Sequence, residues 1–294
     1  MTIQIDSYSE LFSKLLPKQL KIDRLVSGFK FAESPLWHPH GFILVADVAA
    51  NKIYRVTVSG KMSLYWDKSG HSGNNDYSLS DMIGSNGMIT DDQQNIIVCQ
   101  HGNHAIVKRF ENTETVILTN SYNGKPLNSP NDIVRHSNGT LFFTDPPYGL
   151  RNQILQTEKF QPCAGVYSFL NGETKLFASD LRYPNGICLS SNEKYLFVSS
   201  NHPDEPYIWK YEINGNGEIT GQSIFIQQNA DGIKLDQSDN MYMAVNKGIL
   251  IISNAGKRIA LIHLPELTTN LAWGEQGGFS LYATTTNSLF HIHE

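Results

Sequence analysis

The sequence is short of the features that would place it in a membrane, on nucleic acid or outside the cell. Three cysteines among 294 residues, Cys99, Cys163 and Cys188, are odd in number and show no CxxC spacing. Neither a disulfide framework nor a thiolate zinc site is indicated, and the three read as buried thiols in a reducing compartment. No stretch approaches the roughly 18 apolar residues of a membrane-spanning helix. The start, MTIQIDSYSELFSKLLPKQL, has neither the basic region nor the continuous apolar region of a secretion signal. The chain therefore reads as cytoplasmic. Charged residues make up 17%, and 23 basic against 28 acidic side chains give a net charge of −5. No Lys/Arg run or basic stripe is present, so neither nucleic acid nor an anionic membrane is expected as a partner. GxSxG, HExxH, P-loop and GxGxxG motifs are all absent, which removes support for serine-hydrolase and nucleotide-binding readings. Helical periodicity is scarce as well, confined to a short N-terminal helix within Ser9–Leu20 and a turn or two within Asn152–Lys159.

Strand signals fill the space that helices leave. Alternating or β-branched runs recur along the whole chain, among them FILVAD, NIIVCQ, TLFFTD, YLFVSS, NMYMAV and SLYATTT. Turn sequences such as HPHG, HSNG, SSNE and NGNG separate them. Within this pattern lies a repeat: a polar residue, a small or apolar group, a turn, then an apolar strand. It begins at Glu33 (ESPLWHPHGFILVAD) and Asn86 (NGMITDDQQNIIVCQ), and continues at Asn131 (NDIVRHSNGTLFFTD) and Asn185 (NGICLSSNEKYLFVS). It closes at Asp231 (DGIKLDQSDNMYMAV) and Asn270 (NLAWGEQGGFSLYAT), with lead residues 39 to 54 positions apart. Repeats of that period with several strands each mark a propeller. The expected fold is all-β: one domain over 1–294, a six-bladed β-propeller of four-stranded antiparallel blades around a central channel. Residues 1–21 form an N-terminal extension. The last blade lacks a strand at its C-terminal end, and the run Ile22–Phe31 is expected to supply it and close the ring.

The first strand of each blade lines a propeller's channel, so the six lead residues form a ring. Glu33, Asn86, Asn131, Asn185, Asp231 and Asn270 all carry side-chain oxygen, two are carboxylates and none is basic. Asn and Asp also cap strand starts after turns, but that habit does not account for six out of six at one repeat position. Two channel carboxylates without a cation are costly. Carboxylate and amide oxygens without Cys or His favour Ca²⁺, Mg²⁺ or Mn²⁺. The ring reads as a metal site.

Several long motifs carry a family resemblance. They are LNSPNDIVRHSNGTLFFTDPPYGL with GVYSF and YPNGICLSSNEKYLFVS, VCQHGNHAIVKRF, and TTNLAWG with SLYATTTNSLF. In order and register over nearly the whole chain from about Phe31, the sequence resembles the gluconolactonase, regucalcin (senescence marker protein) and luciferin-regenerating-enzyme family, in its bacterial gluconolactonase-like branch. The resemblance implies one divalent metal ion, Ca²⁺ foremost with Mg²⁺, Mn²⁺ or Zn²⁺ as alternatives. It puts Glu33, Asn185 and Asp231 on metal-ligand positions, and Asn131 on a position that contacts the metal and orients substrate. It also puts Asp231 on the proposed general base. The implied activity is hydrolysis of a small sugar-type lactone by metal-activated water. A phosphotriesterase or fluorophosphatase is the alternative enzyme, because the same electrophile activation serves phosphorus esters. A non-catalytic calcium-binding propeller is the alternative of another class. Two departures stand out: the family's Glu-Gly-Pro reads Glu33-Ser34-Pro35, and His104 replaces the basic residue often found after HGN. The first alters how the chain enters the strand, and the second weakens an anionic-substrate contact on that loop.

Four residues are candidate substrate contacts: Asn86 in the ring, His101 after an inner strand, Tyr148 in the TDPPYG turn, and Asn201 after YLFVSS. Asp145 and His202 neighbour the last two. The loops 68–85 and 152–162 are expected to set specificity, and their Asn/Ser/Gly-rich character suits a sugar-like ligand. The remaining histidines read as surface or packing residues.

Overall fold

A computed structural model describes residues 4–73, 79–275 and 278–294. It is a six-bladed β-propeller. The first blade holds strands Ala32–His38, Phe42–Asp47, Lys52–Thr57 and Met62–Asp67, and the second Ser85–Thr90, Ile96–Gln100, Ala105–Arg109 and Thr115–Thr119. The third holds Ile133–Arg135, Leu141–Asp145, Gly165–Leu170 and Glu173–Ala178; the fourth holds Pro184–Leu189, Tyr195–Ser200, Tyr207–Ile213 and Ile219–Gln227. Ile233–Leu235, Met241–Val245, Gly248–Ile252 and Arg258–His263 make the fifth, and Thr268–Trp273, Ser280–Thr285 and Ser288–His293 begin the sixth. The sixth blade is completed by Lys21–Ser27, which pairs antiparallel with Ser288–His293. The ring closes with an N-terminal strand, as the missing C-terminal strand implied.

The second strand of each blade shows why its sequence is apolar throughout rather than alternating. Phe42–Asp47 and Ile96–Gln100 are buried at every position. Successive side chains leave a strand on opposite faces, so Phe42, Leu44 and Ala46 pack toward the second blade while Ile43 and Val45 pack toward the sixth. Ile96 and Val98 face the first blade, and Ile97 and Cys99 the third. Every pair of adjacent blades shares one such apolar cluster.

Glycine closes the inner ring. Gly87 N–H donates to the Asn131 carbonyl of the next blade at 2.6 Å, and a Cβ at Gly87 would fall 2.6 Å from that oxygen. Gly186 repeats the arrangement against the Asp231 carbonyl. The Asn-Gly and Asp-Gly pairs thus join a channel-facing polar side chain to a residue small enough for neighbouring strands to touch.

The N-terminal extension is less helical than its composition suggested. Ile5–Ser7 adds a fifth strand to the outside of the fifth blade, and only Phe12–Leu15 is helical. Leu16, which precedes Pro17, is extended at φ −105° and ψ 146°, because proline excludes the α conformation from the residue before it. The expected turns within Asn152–Lys159 reduce to a 3₁₀ turn at Arg151–Gln153, broken by left-handed φ values at Asn152 and Gln153. Cys99 and Cys188 are buried, Cys163 is half-buried, and all three thiols are free. Among the described residues, no helix is long and apolar enough to cross a membrane.

Candidate functional site

One end of the channel opens into a cavity of about 930 Å³. Glu33, Asn86, Asn131, Asn185 and Asp231, five of the six ring residues, line it. Asn270, the sixth, turns aside: its Nδ2 donates to Glu33 Oε2 at 3.1 Å and its Oδ1 accepts the Leu271 N–H. It supports Glu33 from behind.

The ring side chains hold one another in a directional chain. Ser34 Oγ donates to Asn86 Oδ1 at 2.9 Å, Asn86 Nδ2 to Asn131 Oδ1 at 2.8 Å, and Asn131 Nδ2 to Asn185 Oδ1 at 2.8 Å. Asn185 Nδ2 then reaches the Tyr148 hydroxyl at 3.3 Å. Each amide is fixed by its neighbours before anything binds, which is the preorganisation a binding site needs. Ser34, the departure from Glu-Gly-Pro, sits at φ +42°, a region glycine adopts freely. Its hydroxyl accepts from Asn270 Nδ2 at 3.4 Å and carries the chain on to Asn86, and its N–H donates to Glu33 Oε2 at 2.8 Å. The register shift between Glu33 and Leu36 recurs around Asn86-Gly87 and Asn185-Gly186, so it belongs to the repeat and not to Ser34.

The electrostatics of the two carboxylates are unfavourable without a cation. Burial, with Asp132 nearby, pushes the Glu33 carboxyl up to about 7 despite hydrogen bonds from Ser34 and Asn270. Burial and then the facing charge of Glu33 push Asp231 well above the usual carboxylate range. No hydrogen bond reaches Glu33 Oε1 among the described residues, although the residue is only 3% exposed. Nor do three His, Cys, Asp or Glu side chains come together as a ligand cluster among the described residues. The donor set is therefore two carboxylates and amide oxygens, which fits a hard cation and not a thiolate or imidazole metal.

The remaining candidates fall around this floor. His101 follows the second strand of the second blade and lines the cavity, almost fully buried. Its Nδ1 lies 2.9 Å from the Met82 carbonyl and its Nε2 3.2 Å from the Asn131 amide. Burial holds its pKa at about 4, so the ring is neutral at ordinary pH. Tyr148 and Asn201 also line the cavity, and burial raises the Tyr148 hydroxyl above its ordinary range, keeping it protonated. Ser80 pins the Tyr148 turn by donating to the Tyr148 carbonyl at 2.8 Å. Asp145 lies outside the cavity, buried, accepting the Asn128 N–H at 2.8 Å. His104 is likewise outside, against the Asn128 carbonyl and the Phe160 ring.

The sequence reading did not single out Tyr183, which stacks between Tyr148 (5.8 Å) and His202 (5.6 Å) to make an aromatic wall. Its place in YPNG beside Asn185 was the available signal. Nor did it single out Lys247 and Arg258 at the cavity rim. Of the two loops expected to set specificity, Met82, Asn152 and Gln153 reach the cavity; residues 74–78 of the first lie outside the described residues.

Residues 31–287 match the family described as the SMP-30/Gluconolactonase/LRE-like region. The chain belongs to that family. A gluconolactonase of Zymomonas mobilis is 30% identical over 305 aligned positions, covering 98% of this chain and 85% of the relative. Two solved structures share the fold at lower identity. One is a gluconolactonase of Xanthomonas campestris (TM-score 0.81, 21% identity, 94% of this chain and 90% of that one). The other is a calcium-binding regucalcin of Agrobacterium tumefaciens (TM-score 0.71, 15% identity, 92% and 94%).

Proposed function

We propose that this protein is a metal-dependent lactonase that opens a small, sugar-type lactone resembling gluconolactone, with Ca²⁺ as its ion. One observation carries the reading: two carboxylates, Glu33 and Asp231, face a common cavity where burial raises both and the charge of Glu33 raises Asp231 further. The gluconolactonase relative supports the substrate class, and the free thiols suit a cytoplasmic setting.

Glu33, Asn131, Asn185 and Asp231 are the residues that would hold the ion. When bound, a hard divalent cation polarises a lactone carbonyl and lowers the pKa of water beside it. Asp231 accepts a proton from the attacking water as the water oxygen bonds to the carbonyl carbon. It returns that proton to the ring oxygen as the ester C–O bond breaks, giving the hydroxy acid. Asn131 keeps its orientation because Asn86 Nδ2 donates to its Oδ1 while its own Nδ2 donates to Asn185 Oδ1. Tyr148 and Asn201 offer a hydroxyl and an amide to the sugar, and the Tyr148–Tyr183–His202 wall offers ring faces to its C–H groups.

The test is hydrolysis of glucono-1,5-lactone by purified protein, after EDTA and after readdition of Ca²⁺, Mg²⁺, Mn²⁺ or Zn²⁺. Turnover above the spontaneous rate that is lost with chelator and restored by Ca²⁺ is expected. Metal-restored hydrolysis of a phosphotriester and not of the lactone would move the activity to phosphorus esters. No turnover of either, in protein that binds the ion, would leave a calcium-binding propeller.

A further inference from the structure

The cavity carries its cations on one side only. Among the described lining residues the carboxylates are Glu33 and Asp231, on the floor, and the ammonium and guanidinium groups are Lys247 and Arg258, at the rim. Both cations belong to the fifth blade. Lys247 stands in the turn between Met241–Val245 and Gly248–Ile252, and Arg258 opens the outer strand Arg258–His263. Short paths tie both to the floor. The Asp231 N–H donates to the Ala244 carbonyl at 2.9 Å, and Lys247 follows Ala244 by three residues. The Arg258 guanidinium donates to Gln228 Oε1 at 3.2 Å, and Asp231 follows Gln228 by three residues. Three residues span at most about 10 Å of backbone. The Lys247 backbone and the residue that holds Arg258 therefore lie within about that distance of Asp231 or its strand partner. In register, the cross-strand pair Leu250–Leu261 lies between the Lys247 turn and Arg258, and both leucines line the cavity.

The charges around these two cations are already matched. Lys234, on the inner strand of the same blade, is 3.5 Å from Asp132 Oδ2 and does not line the cavity. Asp6, in the strand added outside Arg258–His263, takes His263 at 2.8 Å. Glu266, beside the lining residue Leu267, accepts from Thr285, Asn287 and Ser288 and lies 3.9 Å from Arg24. Lys247 and Arg258 are exposed, and no carboxylate pairs with either among the described residues. The cavity, at about 930 Å³, is near the top of the roughly 300–1,000 Å³ of small-molecule pockets and leaves room beyond one sugar ring. We propose that this side of it is a subsite for an anionic group, a phosphate or a carboxylate, carried by the lactone at the end remote from the carbonyl that opens. Arg258 supplies a planar fork and Lys247 a point charge, the two modes by which proteins hold such groups. The proposal rests on the lactonase reading and narrows its substrate class. A rim lysine and arginine that serve only solvation would leave charged and neutral lactones equal.

Preference between substrates is therefore the readout. In full-length, Ca²⁺-loaded protein, kcat/KM for 6-phosphoglucono-1,5-lactone is compared with that for glucono-1,5-lactone, and glucaro-1,4-lactone with glucono-1,4-lactone. Phosphate and carboxylate are thus each set against a neutral lactone of the same ring. Calorimetric binding of 6-phosphogluconate and of gluconate gives a readout without turnover. The wild type is expected to favour an anionic lactone by on the order of tenfold and to bind 6-phosphogluconate the more tightly, both preferences fading with added salt. A preference for one anionic lactone alone names the group. Lys247→Gln and Arg258→Gln should each cut kcat/KM for that lactone by about threefold to tenfold, chiefly through KM, with the neutral lactone unchanged. Lys247→Arg should keep the preference. No anionic preference in the wild type, or one that survives in the folded double variant, overturns the subsite and leaves the lactonase reading standing. No turnover of any lactone, with 6-phosphogluconate binding that the double variant loses, overturns the lactonase reading and keeps the anion subsite. Neither turnover nor charge-dependent binding overturns both.

Discussion

Removing the cation should give this protein an inverted pH dependence of stability. Glu33 has an ordinary pKa of 4.5 and stands at about 7 in the folded chain. Between those values the folded state keeps a proton that the unfolded state has released. The unfolded state then binds fewer protons, so stability falls as pH rises through that window and levels off above it. A rise of this size corresponds to about 3 kcal/mol for Glu33, and Asp231 acts in the same direction. A chain of this length loses roughly 0.6 kcal/mol of stability per degree near its midpoint, so about 3 kcal/mol is about 5 °C in Tm. The assay is thermal unfolding of chelated protein from pH 5 to pH 8, with and without Ca²⁺, for wild type and Glu33→Gln. Chelated wild type should lose about 5 °C or more over that range, and Ca²⁺ should remove the part of the slope that Glu33 and Asp231 contribute. Glu33→Gln should show a shallower slope without metal and little response to Ca²⁺. An apo Tm that holds steady or climbs over the range, or a Glu33→Gln slope equal to the wild-type slope, would refute the reasoning.

Three further predictions follow from the same geometry. Asp231→Asn should cut kcat for lactone opening by about 10²–10⁴-fold in folded, metal-loaded protein, the usual worth of a positioned general base; stopped-flow proton release would show near-wild-type rates if Asp231 carries no proton. Asp145, raised to about 8 by burial, adds a metal-independent loss of stability as pH climbs from about 4 to 8. Asp145→Asn should flatten that part of the Tm profile, and an unaltered profile would mean the carboxyl is ionised in the folded state. Gly87→Ala should cost about 1–3 kcal/mol or more in denaturant unfolding, because its Cβ meets the Asn131 carbonyl; a neutral result would show that the inner strands can separate freely.

What could be read from the sequence follows from which features are periodic. FILVAD and IIVCQ announce strands buried on both faces, and the recurring lead residues announce their place on the channel, because a propeller repeats one local pattern at each blade. The missing last strand was legible for the same reason. Asn270 shows the limit: it occupies the repeat position, yet its amide is drawn back to Glu33 and the Leu271 N–H, a choice made by its neighbours in space. Tyr183 and His202, which flank the first two strands of the fourth blade, become a wall only because the Tyr148 turn of the third blade meets them in space. Asp132 and Lys234 come from blades that are not adjacent, about a hundred residues apart, and no repeat links them. Ser34 could be recognised as a departure, but the use of its hydroxyl as a link between Asn270 and Asn86 required the fold.

The central claim is that the Glu33–Asp231 floor holds one divalent ion on which lactone opening depends. It is tested most directly by titrating Ca²⁺ into chelated protein while following heat and glucono-1,5-lactone hydrolysis on the same sample. One ion bound per chain, with turnover rising in step and reaching its plateau at the same equivalence point, is the predicted result. Turnover that is already complete in fully chelated protein, or an ion that binds without altering it, would contradict the account.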